Sequence, residues 1–169
     1  MKIQNWILLL FISMLFSLSA NADQFYGGFG LNSTPGQPNM EENRLPISLA
    51  YETKTLWRFS FTDTSYKYTG AGGDIKSQIL CAERIWVYKI RPGFSLIGAF
   101  GPGYYMTKQD GLGSGSSIGI AATGSVRYAL SEQVFFDAAM HYKNAAVSIN
   151  SYSVNGGYQG IFLNAGYFF

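Results

Sequence analysis

His141 and Cys81 are the one histidine and the one cysteine of a 169-residue chain. His141 lies in MHYKNAAV, residues 140–147, four residues after Asp137 and two before Lys143. An imidazole set between a carboxylate and a hydroxyl can activate a nucleophile toward an ester. Both partners are missing: Lys143 stands two residues on, no glutamate follows it, and Ser148 has no spacing that sets it against His141. A second reading rests on alternation. Phe135, Asp137, Ala139, His141 and Lys143 recur at every second position, and a strand sends such residues to one face. On that reading Arg127, Asp137, His141 and Lys143 form an interior polar network, and His141 is only a weak catalytic candidate.

Other chemistry has little support. One His and one Cys fall short of the ligand set of most zinc sites, so no metal is expected. GGFG and GAFGPG carry closely spaced glycines inside alternating segments. A phosphate loop needs them between a strand and a helix, so no cofactor is expected either. QDGLGSGSS reads as a flexible loop. Cys81 has no partner for an internal disulfide and reads as a small buried or lipid-facing residue.

The elements that must position these residues are strands of an exported chain. Residues 1–22 read MKIQNWILLLFISMLFSLSANA, with one cation at Lys2, an apolar run from Trp6 to Phe16 and a small-residue end at Ala20-Asn21-Ala22. That is the pattern of a secretory signal cleaved before Asp23, which leaves residues 23–169 as one domain. The apolar run is shorter than the roughly 20 residues a spanning helix needs. Without Lys2 the chain has eleven basic and ten acidic residues and no charge run, so no nucleic-acid partner is expected.

Period-2 segments dominate residues 23–169. Strands are expected at Gln24–Asn32, Pro46–Glu52, Leu56–Lys67, Gln78–Ile90, Phe94–Thr107, Ser117–Leu130, Val134–Val147 and Tyr158–Phe169. Tight turns fall around Thr53-Lys54-Thr55, Arg91-Pro92-Gly93 and Ser131-Glu132-Gln133. Longer connections, STPGQPNMEENRL, YTGAGGDIKS, KQDGLGSGS and SINSYSVNGG, alternate with them. In an up-and-down meander all tight turns then share one end with both termini. Short turns at one end and long loops at the other mark outer-membrane barrels.

The faces agree. Ile118, Ile120, Ala122, Gly124, Val126, Tyr128 and Leu130 form one face of the sixth segment. Gly119, Ala121, Thr123, Ser125 and Arg127 form the other. An eight-stranded barrel is barely wide enough for its own side chains, so the small and polar face fits inside and the apolar face meets lipid. Trp57, Trp86, Tyr104, Tyr128 and Tyr167 lie near segment ends, as interfacial aromatics do. Two places break the pattern: Asp63 on an apolar face, and the adjacent Glu83 and Arg84, where a bulge or an interfacial position is expected. A three-residue turn at 131–133 sets Arg127 opposite Asp137 and Thr123 opposite His141, because an even turn would pair unlike faces.

The A-x-A signal, eight segments, SVRYALSEQVFFDAAMHY and the closing NAGYFF together resemble the small eight-stranded outer-membrane β-barrel proteins of Gram-negative bacteria. The resemblance implies an all-β, antiparallel, up-and-down transmembrane barrel in the cell outer membrane. It implies contact with outer-membrane lipid and lipopolysaccharide, a monomer, and an assembly signal at Tyr167 and Phe169 for the barrel-assembly machinery. Locally, MHYKNAAV resembles the H-[FY]-S-N-A segment of lipid A 3-O-deacylases. In those enzymes the His activates a Ser and a Glu orients the His. His141, Tyr142, Asn144 and Ala145 match, Lys143 stands in the place of the Ser, and no Glu follows it. Three functions stand open: a non-enzymatic barrel with a structural or surface-interaction role, a lipid A esterase, and a soluble exported β protein holding a small apolar ligand.

Overall fold

The computed structural model describes residues 22–35, 39–68 and 73–169, with ten strands and no helix among them. The leader expected at residues 1–22 lies outside the described residues, apart from Ala22. The strands are β1 (Ala22–Pro35), β2 (Met40–Thr53), β3 (Trp57–Tyr68), β4 (Ile75–Arg91), β5 (Phe94–Gln109), β6 (Gly113–Ala129), β7 (Val134–Asn144), β8 (Ala146–Ile149), β9 (Tyr152–Asn155) and β10 (Tyr158–Phe168). Eight of them close an antiparallel barrel in chain order, with β10 returning to β1. The pairing of Gln24 with Phe168 and of Pro35 with Tyr158 completes the circle. Closure leaves no open edge. β8 and β9 form a separate hairpin between β7 and β10.

Each turn follows from its residues. Pro92-Gly93 joins β4 to β5 with Arg91 opposite Phe94 and Gly93 at φ 76°. Proline fixes the first turn position, and only glycine takes the second without strain. Ser131 accepts hydrogen bonds from the backbone N–H of Gln133 and Val134 at 3.2 and 3.0 Å. Leu130 N–H donates to the Val134 carbonyl at 2.8 Å, which fixes the odd register between β6 and β7.

The strands run further than the loop-forming residues imply. Ser114, Gly115 and Ser116 belong to β6, opposite Lys108, Thr107 and Met106. Met40, Glu41 and Glu42 belong to β2, opposite Tyr68, Lys67 and Tyr66. An antiparallel neighbour supplies the backbone bonds whatever the side chains prefer. At the other end β3 opens one residue late, because Leu56 turns with φ 61°. No bulge falls at Glu83-Arg84: Glu83 opposes Arg58 and Arg84 opposes Trp57 in unbroken register. The irregularities lie elsewhere, between Ala22 and Gln24, between Gly30 and Asn32, around Arg44, and between Lys89 and Arg91.

The strand expected at Val134–Val147 breaks at Ala145, and Ala146 and Val147 open the β8–β9 hairpin, which continues into SINSYSVNGG, expected as a loop. Asn150 and Ser151 form its tip, both at positive φ, the geometry of a two-residue turn that matches strand twist. Val147, Ile149 and Val154 point from the hairpin into a buried cluster with Tyr66, Ile75, Ile79 and Tyr105. Asn150 donates to the Leu112 carbonyl in the β5–β6 turn. The hairpin thus closes the loop end of the barrel with an apolar layer.

Candidate functional site

Alternation along each strand separates two surfaces. Inward residues on β6 and β7 are Ala121, Thr123, Ser125, Arg127, Phe135, Asp137, Ala139, His141 and Lys143, all buried. Outward residues between them are apolar and exposed, as with Ile118 at 75%, Leu130 at 61% and Met140 at 61%. Phe29, Ile47, Phe59, Trp86, Leu96, Phe100, Ile161 and Leu163 continue the outward belt around the barrel. So large an apolar surface on a closed barrel suits hydrocarbon and not water. Trp57, Trp86, Tyr88, Tyr128 and Tyr167 stand outward towards the turn end, and Tyr104 and Tyr142 towards the other.

The buried charges among the described residues are Glu52, Glu83 and Asp137 against Arg58, Arg127 and Lys143. Arg127 lies at the hub. Its guanidinium reaches Asp137 at 3.1 Å and the Glu52 carboxylate at 2.9 and 3.1 Å. It also donates to Gln24. Arg58 holds Glu52 at 2.8 Å, and the Tyr26 hydroxyl donates to Glu52 at 2.7 Å. Ser125 and Asn164 donate to Asp137 at 3.0 and 3.2 Å. The Arg127 guanidinium lies over the Phe135 ring at 4.3 Å. Gly166 makes room for that ring, since a Cβ there would meet Phe135 at 2.3 Å. Glu52, Asp137, Arg58 and Arg127 thus each meet an opposite charge, as burial demands.

A second group sits nearer the loop end. His141 stacks on Phe162 with ring centroids 4.4 Å apart and planes 9° from parallel. Its Nδ1 lies 3.1 Å from the Tyr158 hydroxyl. Lys143 donates to Thr62 at 2.8 Å, and the Tyr158 hydroxyl donates to the same oxygen at 3.4 Å. Glu83, between the groups, accepts from Thr123 at 2.9 Å. Arg127 and Asp137 are therefore in direct contact, whereas His141 and Lys143 meet only through Tyr158 and Thr62. His141 faces the bore, away from the surface where a lipid ester would lie. Tyr167 and Phe169 are outward neighbours with ring centroids 5.4 Å apart.

The two outward charges that interrupt the belt are also held. Asp63 pairs with Arg44. Arg84 donates to the Thr55 carbonyl and lies 5.8 Å from the Trp57 ring, near the turn that joins β2 to β3.

Solved structures with this arrangement exist. Neisserial surface protein A superposes with a TM-score of 0.60 at 18% identity, over 86% of this chain and 95% of that one. Ail, the attachment invasion locus protein of Yersinia pestis, does so with 0.52 at 20% identity, over 88% and 99%. The outer membrane protein OprG from Pseudomonas aeruginosa does so with 0.52 at 15% identity, over 88% and 97%. This is the fold of the small bacterial outer-membrane barrels. At these identities the likeness is one of fold. No family model matches the sequence, and no curated protein sequence matches it.

Glu52, Arg58 and Glu83 escaped the sequence reading of the site. Their signal was parity. Glu52 and Arg58 face each other across the β2–β3 turn, but Leu56 displaces β3 from the three-residue turn expected at 53–55. Glu83 shares the inward parity of Ser77, Ile79 and Cys81.

Proposed function

We propose that this chain is a non-enzymatic integral protein of the outer membrane, a filled barrel that carries surface elements at its loop end. The observation that carries the reading is the division of one sheet into an apolar outer belt and an inner face of paired charges. The bore is occupied by Tyr105, Phe135, Tyr158 and Phe162, so the fold acts as a scaffold and not a channel. The β8–β9 hairpin and the neighbouring turns are the parts available to partners outside the cell, and the three tight turns face the periplasm. The belt contacts membrane lipid, including lipopolysaccharide in the outer leaflet. The chain acts as a monomer, since closure leaves no strand edge to share.

Tyr167 and Phe169 are the assembly signal in this reading, read by the barrel-assembly machinery while β10 is still unpaired. The esterase alternative has weak support, because His141 is stacked under Phe162 with Lys143, not a serine, two residues on. Fractionation tests the proposal. The protein should stay with membranes through an alkaline carbonate wash and leave them only in detergent. Recovery in the soluble periplasmic fraction would favour an apolar-ligand carrier instead.

A further inference from the structure

At the loop end the outward face turns from apolar to basic within two rows. Across five adjacent strands, Arg44 opposes Ser65, Ser65 opposes Lys76, Lys76 opposes Lys108, and Lys108 opposes Ser114. Directly opposed side chains have Cβ atoms about 5 Å apart, and like charges so placed repel. Neither lysine has an ion-pair partner within 4 Å among the described residues. Three carboxylates lie near them: Asp63 is held by Arg44, Asp74 accepts from Asn43 at 3.0 Å, and Asp110 stands in the next row towards the loops, two residues after Lys108. Arg44, Asp63, Lys76, Lys108 and Ser114 line a surface groove of about 520 Å³ with Gln78 and Met106. Four residues further along the same strands lies the row Phe61, Leu80, Tyr104 and Ile118, the edge of the apolar belt. At 3.3 Å per residue that separation is about 13 Å along the strand.

We propose that Arg44, Lys76 and Lys108 form a binding site for the phosphate of lipopolysaccharide's lipid anchor in the outer leaflet. An anion between Lys76 and Lys108 turns a repulsive pair into two charge-assisted hydrogen bonds. Ser114 and Gln78 offer further donors. The phosphate then sits above the belt, and the acyl chains descend over Tyr104 and Ile118. A free phosphate would use the basic row alone; only a lipid uses both rows. The assignment rests on the outer-membrane reading and names the residues that make the lipid contact.

The test is a titration of the full chain, purified in detergent, with thermal unfolding as readout. Diphosphorylated lipid A should raise the unfolding temperature, as a ligand of the folded state does. Dephosphorylated lipid A and inorganic phosphate should not. Lys108→Glu places a carboxylate opposite Lys76, so the barrel keeps its fold, yet apparent affinity should fall about tenfold or more through the lost charged contact. Lys89→Gln, in the β4–β5 hairpin, should leave affinity unchanged. An unaltered affinity in Lys108→Glu, an equal response to inorganic phosphate, or an equal loss in Lys89→Gln would overturn the site. Failure of the outer-membrane reading is separate: it would show as release from carbonate-washed membranes, whatever the titration gave.

Discussion

Arg127 and Asp137 stand directly opposite each other on β6 and β7, joined at 3.1 Å inside the barrel, and Arg127 also grips Glu52 from β2 on the far wall. One guanidinium thus ties together strands that are distant in sequence and in position around the barrel.

The two partners are unequal. Arg127→Met leaves Asp137 without a cation and Glu52 with Arg58 alone, and should cost about 3–5 kcal/mol, the penalty for an uncompensated buried charge. Asp137→Leu leaves Arg127 still on Glu52, and should cost less, about 1–3 kcal/mol for the lost charged hydrogen bonds. The double variant should be less destabilised than the sum of the two. Denaturant unfolding in detergent, arranged as a double-mutant cycle, measures all three. Equal single costs with strict additivity would remove Arg127 from the hub.

His141→Ala separates a packing role from a catalytic one. Loss of the stack on Phe162 and of the Tyr158 contact should destabilise the barrel by roughly 2–4 kcal/mol, as for other buried large-to-small changes. The acyl pattern of lipid A, read by mass spectrometry from cells with either form, should be the same. If the native protein removes an acyl chain and the variant does not, His141 is catalytic and the scaffold reading fails.

The hairpin is a cover and should behave as one. Cys81 is unpaired and buried in the cluster that Val147, Ile149 and Val154 complete. Replacing residues 146–155 by a short Gly-Ser link should leave the closed barrel intact, since all eight wall strands remain. It should also speed the reaction of Cys81 with a small maleimide added to purified protein. An unchanged labelling rate in a folded variant would show that the hairpin does not control access from that end.

The architecture was legible because a two-residue period writes burial directly into sequence. On β6 and β7 the apolar and polar sets are cleanly separated, and the odd turn held by Ser131 then dictates that Arg127 meets Asp137. Legibility failed where backbone geometry intervened. The positive φ of Leu56 shifted β3 and hid the contact between Glu52 and Arg58. The β8–β9 hairpin was hidden by its polar turn residues, although Val147 and Ile149 alternate as a strand requires. Ser114-Gly115-Ser116 carries no strand preference at all and is extended only because β5 lies beside it. Arg84 looked like a fault in the pattern, but its length lets the guanidinium reach the Thr55 carbonyl and the Trp57 ring while the register stays intact.

The central claim is a barrel that crosses the outer membrane with its loop end outside. A single labelling experiment addresses both halves of it. In a Cys81→Ala background, cysteine is placed by Ser151→Cys at the hairpin tip or by Pro92→Cys in the β4–β5 turn. Intact cells are then treated with a maleimide too bulky to cross the outer membrane. The expected result is labelling of the Ser151→Cys protein on intact cells, and of the Pro92→Cys protein only after the membrane is permeabilised. Labelling of both only after permeabilisation, or of Pro92→Cys alone on intact cells, would contradict it.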